Sequence, residues 1–305
     1  MATITHESVQ EDTLQHLTLQ HPDRAQPRDV AAEVLYSKEA DDGTPLTLDS
    51  IHSSDINFKE SRKVLIKDVR NDISDFTLEK HGFEYVNHEV PQAHFVNEES
   101  IKAVHYPEIE AFIAKSTGAK MVLIYNHIVR NAPWSNDIRE IKSYVGPAQR
   151  CHIDVSTEFA KEVVENQLKR FEKGDMVSEV LAGRWQLLNV WRPLKTIRKN
   201  PLAVADAKTV PYSDQYMVSY DREYQEDGKT KKLRVETPFT QASKNDSHQF
   251  YYLHEQRPDE LLIFKTADSD KNTAAGAATH TSFELPGTEH LPTRESIEIR
   301  LLAVY

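Results

Sequence analysis

Residues 150–154 read Arg150-Cys151-His152-Ile153-Asp154. Neighbouring side chains of a β-strand point to opposite faces, so residues i and i+2 share one face about 6–7 Å apart, within reach of a single metal ion. A strand over residues 147–155 therefore sets His152 and Asp154 side by side and turns Cys151 away as a small apolar filler. The spacing has meaning only on a strand. His21-Pro22-Asp23 repeats the letters, but its proline and polar surroundings remove that context. Two ligands leave most of a coordination sphere open, so a further histidine has to arrive from a distant strand.

Downstream of the pentapeptide, Thr157 reads as the cap of a helical stretch through about residue 181, with Phe159, Val163, Val164, Leu168 and Phe171 apolar and Gly174 interrupting it. Its charged face suits a solvated lid. Upstream, residues 121–130 (MVLIYNHIVR) form a nearly continuous β-branched run, as expected of a central strand buried on both faces. Residues 63–69 and 81–86 read as shorter strands, and 97–104 and 107–116 as helices, the second opening on a proline and stopping before Gly118. Beyond Gly183 come strand-like segments at 185–191, 216–224, 232–236, 249–253, 261–265, 280–285 and 296–304. Short strands in series suggest a jelly roll or small barrel.

Of the 305 residues, 39% are hydrophobic and 28% charged, with 9 Gly and 14 Pro, which excludes collagen-like, coiled-coil and wholly disordered chains. The formal charge of −11 repels phosphate backbones and argues against nucleic acid. No apolar run approaches the roughly 20 residues of a membrane helix. One cysteine and no charged-then-apolar leader make the expected compartment cytoplasmic.

His248, His254, His280 and His290 are the candidates for the remaining imidazole. His290 lies in the Pro-flanked Glu289-His290-Leu291-Pro292, a poor place for a rigid ligand, and Arg257 after His248 falls in the turn-like Arg257-Pro258-Asp259-Glu260. His280 leads because Arg294-Glu295-Ser296 follows it. On a strand Arg294 and Ser296 share a face, where guanidinium and hydroxyl can converge on one carboxylate.

Six stretches now stand in order: His81-Gly82-Phe83; Arg150-Cys151-His152-Ile153-Asp154; Asn189-Val190-Trp191-Arg192-Pro193; Tyr251-Tyr252 with Arg257-Pro258-Asp259-Glu260; Phe264-Lys265-Thr266-Ala267-Asp268-Ser269; and Arg294-Glu295-Ser296-Ile297-Glu298. Together they resemble the fungal gibberellin desaturase-like and cephamycin methoxylase-like branch of the iron(II)/2-oxoglutarate oxygenases, over roughly residues 60–305. The resemblance implies a mainly β fold with flanking helices, a double-stranded β-helix (jelly roll, cupin-like). Residues 1–36 are then a polar lead-in, and 37–305 a single oxygenase domain with a helical insert at about 157–182. It also implies Fe(II) held by His152, Asp154 and His280, and 2-oxoglutarate anchored by Arg294 with Ser296. The interval from His280 to Arg294 is longer than the family's usual span of about eleven residues, because residues 286–292 add a loop, and this keeps Arg300 as a rival anchor.

The implied reaction couples decarboxylation of 2-oxoglutarate to succinate with hydroxylation, desaturation or ring closure of a small molecule of secondary metabolism. Its partners are that substrate and molecular oxygen. Tyr125, Asn126, Arg130, Trp191 and Arg192 are the candidate substrate contacts, though Arg192 equally suits a structural ion pair and Trp191 core packing. Two alternatives remain: a zinc-dependent hydrolase on the same ligands, or a non-catalytic jelly-roll binding protein. The oligomeric state is left open, a homodimer among the options.

Overall fold

In β12, Ser296–Val304, apolar Ile297, Ile299, Leu301 and Ala303 alternate with Ser296, Glu298 and Arg300. A period of two gives such a strand one dry face and one able to carry chemistry. The structure, a computed structural model that describes residues 28–49, 56–131, 146–226 and 229–305, puts this strand inside a five-stranded sheet. The other strands of the described residues are β1 Val30–Ser37, β2 Lys59–Asp68, β3 Phe83–Asn87, β4 Met121–Arg130, β5 Trp185–Pro193, β6 Leu202–Ala205, β7 Gln215–Glu226, β8 Lys229–Thr240, β9 Phe250–Tyr252, β10 Glu260–Asp268 and β11 His280–Ser282.

The major sheet has the order β3-β10-β5-β12-β4 and is antiparallel throughout. The minor sheet runs β1-β2-β9-β6-β11, with β7 and β8 as a hairpin beside it. Phe83, Trp191, Leu262 and Phe264 of the major sheet meet Leu202 and Val204 of the minor one in a single buried cluster, so the two sheets stand face to face. The outer face of the major sheet is covered by helix α2, Tyr106–Thr117, whose Ile109 and Ile113 pack with Leu188, Val190, Ile263, Ile297 and Ile299. Each such fully buried side chain contributes about 1.5–3 kcal/mol. Helices α3, Thr157–Arg170, and α4, Val177–Ala182, pack on Leu187 and Leu302, further along the inner face. This is the jelly roll expected from the series of strands. Among the described residues no helix is long and apolar enough to cross a membrane.

Several local expectations change. Residues 147–155 form no regular strand: single bridges run from Arg150 to Leu35 of β1 and from His152 to His280 of β11 and Phe239 of β8, and the chain bends at Asp154 and Val155. β4 is an edge strand, not a central one. Its unbroken apolar run arises because Val122 and Ile124 pack under α2 while Leu123 packs under α3 and α4; covered faces, not a central position, produce the pattern. The expected lead-in boundary at residue 36 falls inside β1, where Val30, Ala32, Val34 and Tyr36 alternate into a core, and residues 1–27 lie outside the described residues. β6 was not foreseen, being four residues between turns.

The helical stretches at 97–104 and 107–116 are one run, Glu98–Ser100 passing through a π-helical turn, Ile101–His105, into α2. Ser156, not Thr157, caps α3: its hydroxyl accepts from the Phe159 amide at 3.1 Å and donates to Glu236 of β8 at 2.5 Å. The helix stops at Arg170, where Glu172 takes a left-handed φ of 58°, and resumes as α4. A short helix α1, Leu78–His81, ends on Gly82 with φ 82°, and a Cβ there would sit 3.0 Å from that of Ala207 and 3.4 Å from that of Ala278. Glycine is required both for the turn and for the close approach.

Candidate active site

His152 and His280 are set against each other by the backbone. The His152 amide donates to the His280 carbonyl at 3.2 Å and the His280 amide returns a bond of 3.0 Å, leaving the ring centroids 4.4 Å apart. Asp154, two residues on, brings Oδ1 to 3.6 Å from His152 Nε2. One ligand atom from each of His152, Asp154 and His280 lies within 4.8 Å of the others. Both imidazoles are oriented from behind. Nδ1 of His152 bonds the Arg150 carbonyl at 2.8 Å, and Nδ1 of His280 the Ala278 carbonyl at 3.3 Å. A carbonyl only accepts, so each Nδ1 carries a proton, which in the neutral ring leaves the lone pair on Nε2.

Burial, reinforced by His152, pushes the His280 imidazole down to about 4, so it stays neutral. Burial works against the Asp154 carboxylate, but the Arg300 guanidinium and the two imidazoles hold it well below the usual carboxylate range. Arg300 Nη2 donates to Asp154 Oδ1 at 3.0 Å, and Asn189 Nδ2 to Oδ2 at 2.6 Å. Cys151 is fully buried in the core cluster with Val34, Tyr36 and Ala203, away from the histidines, and burial pushes its thiol up.

Arg294 and Arg300 differ in what already occupies them. Arg300 is paired with Asp154 and with Glu298, at 2.9 Å. Arg294 is buried with no ion pair among the described residues; Nη1 donates to the Asn200 carbonyl at 2.6 Å and reaches Ser282 Oγ at 3.3 Å. Its Nε, the Ser296 hydroxyl and the Trp191 indole nitrogen are all buried without a partner. The Trp191 ring lies 5.2 Å from the guanidinium. Burial and the like charge of Arg130 push Arg294 down to about 9. Unpaired buried donors around an uncompensated cation cost free energy until an anion arrives, and a carboxylate fits them. Ser282 is two residues along β11 from His280, about 6–7 Å, a span that suits a short dicarboxylate between cation and imidazoles.

Of the expected substrate contacts, Tyr125, Asn126 and Arg130 come together although Tyr125 and Asn126 are adjacent in sequence. A register shift at Arg300/Leu301 places Asn126 opposite Arg300 and Arg130 opposite Ser296, with Tyr125 as the extra residue. Tyr125 packs with the inner cluster, and its hydroxyl is raised by burial and lies within the field of Arg300, Asp154 and Glu298. Trp191 lines the same face. Arg192 does not. Being one residue out of phase, it points to the outer face, donates to the His88 carbonyl at 2.9 Å and stands over the Phe95 ring. Arg192 is therefore removed from the site as a packing and hydrogen-bonding residue. Asn189 was not singled out beforehand, although an amide inside the apolar run Leu187-Leu188-Asn189-Val190-Trp191 is itself a signal. Phe264, 4.7 Å from the His280 ring, was also missed as a wall of the site.

A family model described as an oxidoreductase/YMDC permease-like domain matches residues 34–304. The alpha-ketoglutarate-dependent dioxygenase phiK of Fungal sp. (strain ATCC 74256) is 35% identical over 247 residues, covering 80% of this chain and 84% of that protein. The gibberellin cluster GA4 desaturase of Gibberella fujikuroi is 28% identical, covering 79% of this chain and 86% of its own length. A solved structure of the iron and alpha-ketoglutarate-dependent endoperoxidase NvfI superposes with a TM-score of 0.75 at 23% identity, over 92% of this chain and 99% of that one, and shares the fold. Alpha-ketoglutarate is 2-oxoglutarate, the short dicarboxylate that the buried donors around Arg294 suit. The chain belongs to the oxidoreductase family of iron(II)/2-oxoglutarate-dependent dioxygenases, in the branch that these fungal enzymes represent.

Proposed function

We propose that His152, Asp154 and His280 hold iron, that Arg294, Ser296 and Trp191 receive the distal carboxylate of 2-oxoglutarate, and that the enzyme hydroxylates, desaturates or cyclises a small molecule of secondary metabolism. The observation that carries this is a two-histidine, one-carboxylate donor set together with a buried guanidinium that makes no ion pair among the described residues. A hydrolase has no use for that cation, which weighs against the zinc alternative. When bound, iron and the keto acid supply oxidative decarboxylation and the power to break an unactivated C–H bond.

The residues of the chain do the rest. Carbonyl bonds at both Nδ1 atoms aim the imidazole lone pairs, while Arg300 and Asn189 fix the carboxylate plane of Asp154. Trp191 and Phe264 keep water from the co-substrate. Tyr125, Asn126 and Arg130, along β4, border the space left for the substrate, where hydroxyl, amide and guanidinium can orient oxygenated groups. The names of relatives, dioxygenase, desaturase and endoperoxidase, support a range of outcomes at such a site. Cytoplasmic location accords with the single buried cysteine, and light scattering decides between monomer and homodimer.

The test is anaerobic addition of Fe(II) and 2-oxoglutarate, which is expected to give a visible charge-transfer band that His152→Ala abolishes. An unchanged band in that variant removes the ligand assignment. At saturating iron, Arg294→Gln is expected to raise the 2-oxoglutarate concentration for half-maximal succinate release about 100-fold, the loss of one buried charge-assisted partner at about 1.4 kcal/mol per tenfold. Arg300→Gln leaves that concentration within a few-fold; the reverse pattern makes Arg300 the anchor.

A further inference from the structure

A second group of metal-ligating side chains lies on the other side of the major sheet. His94 belongs to the turn Gln92–Phe95, His105 ends the π-helical turn Ile101–His105, and Glu108 stands in the first turn of α2. His94 Nδ1 is 3.2 Å and His105 Nδ1 3.5 Å from the same Glu108 oxygen, and one ligand atom of each residue lies within 4.8 Å of the others. A tetrahedral zinc ion with bonds of about 2.0–2.1 Å separates its ligand atoms by about 3.3 Å, close to the two spacings present here.

His105 supplies the independent observation. It is fully buried, yet neither ring nitrogen has a hydrogen-bond partner, although Nδ1 lies 3.5 Å from the Glu108 carboxylate. A buried imidazole with both nitrogens idle is a costly arrangement that a bound cation would relieve. Phe95 packs edge-on against the ring at 4.7 Å and closes the inner side, while Glu108, one-third exposed (33%), leaves an approach from solvent. A π-helical turn, itself uncommon and frequent at functional sites, delivers His105 to this position.

We propose that His94, His105 and Glu108 form a second, non-catalytic metal site that takes zinc or a zinc-like divalent cation, with water in the fourth position, and clamps the turn Gln92–Phe95 to the start of α2. The site is independent of the iron assignment, because α2 and the histidine pair at 152 and 280 lie on opposite faces of the major sheet.

The experiment uses the full-length protein stripped of metal and titrated with Zn(II) by calorimetry and with Co(II) by absorption. Wild type is expected to bind two equivalents of zinc, and His152→Ala/His280→Ala to retain one, with cobalt bands of the intensity that four-coordinate geometry gives. Glu108→Gln and His94→Ala, both at partly exposed positions, are expected to lose one equivalent, to weaken that binding at least tenfold, and to lose the zinc-dependent rise in melting temperature, with unchanged circular dichroism. Retention of full stoichiometry and affinity in both of these variants overturns the proposal. So does a wild type that binds a single equivalent lost in His152→Ala.

Discussion

Asp154 is held by two donors before any metal arrives, Arg300 at Oδ1 and Asn189 at Oδ2. A carboxylate fixed in this way loses little further freedom on coordination, and the guanidinium keeps it ionised at pH values where an ordinary buried carboxyl would take up a proton. Its proton affinity is depressed in the fold, so its contribution is complete above the unfolded value of about 3.9 and is lost only as pH falls through the lower folded one. Arg300→Gln removes that bias. Iron affinity is then expected to fall more steeply on acidification in the variant than in wild type, as burial raises the Asp154 carboxyl. Iron titrations against pH read the difference, and a variant whose profile parallels wild type rejects the positioning role. Removing one partner of the pair also costs about 3 kcal/mol of stability, since the other charge stays buried. At this scale the pair His152 and Asp154 was legible because the two ligands stand two residues apart in one short stretch and their proximity needs no long-range register, whereas their partners Arg300 and Asn189 come from strands whose register no local pattern states.

Elements were read best where alternation and turn residues agreed, as in β5, β10 and β12, and worst where neighbours decide the outcome. β4 shows why: an apolar run reports how many faces are covered, and an edge strand covered by helices on both faces reads like a central one. Its register shift was invisible for the same reason. In unshifted pairing Asn126 would stand opposite Ile299 and turn with Arg130 to the outer face, so the shift against β12 is what brings both to the face that carries Ser296 and Arg300. The N-terminus of α3 was misread by one residue, because Ser156 and Thr157 are both good caps and only the Ser156 hydroxyl meets the Phe159 amide. This makes a direct comparison possible. Ser156→Ala is expected to cost about 1 kcal/mol, a fall of about 2–4 °C in melting temperature, through loss of the cap and of the bond to Glu236. Thr157→Ala is expected to cost less than about 0.5 kcal/mol. Equal losses in thermal melts would contradict the assignment of the cap.

The whole molecule closes through the extended stretch 150–152, which bridges β1 at Arg150 and β11 at His152 and so brings the two edges of the minor sheet together. The metal ligands sit on that seam, and occupation of the site adds to the stability of the closed fold by mass action, about 2.7 kcal/mol at a hundredfold excess over Kd. The seam also explains why topology was only partly legible: a pentapeptide that joins two distant strands through single bridges carries no periodic signal of its own. Closure buries imidazoles as neutral groups. His280 is pushed down to about 4 and His88 to about 4, in each case by burial first, with His152 and Arg192 respectively adding, and His105 to about 3. Each has a folded value below its unfolded value of about 6.5, so between the two the unfolded chain binds more protons and stability falls as pH falls. The metal-free protein is therefore expected to have a urea midpoint that is level above about pH 7 and declines towards pH 4.5, each ring contributing at most about 1.4 kcal/mol per pH unit. His105→Phe, which keeps the ring volume and removes the titration, is expected to flatten the decline in buffer containing a chelator. A midpoint that holds or rises on acidification would mean that these rings are protonated inside the fold, which the Arg192 guanidinium donating to His88 Nδ1 and the unpartnered nitrogens of His105 contradict.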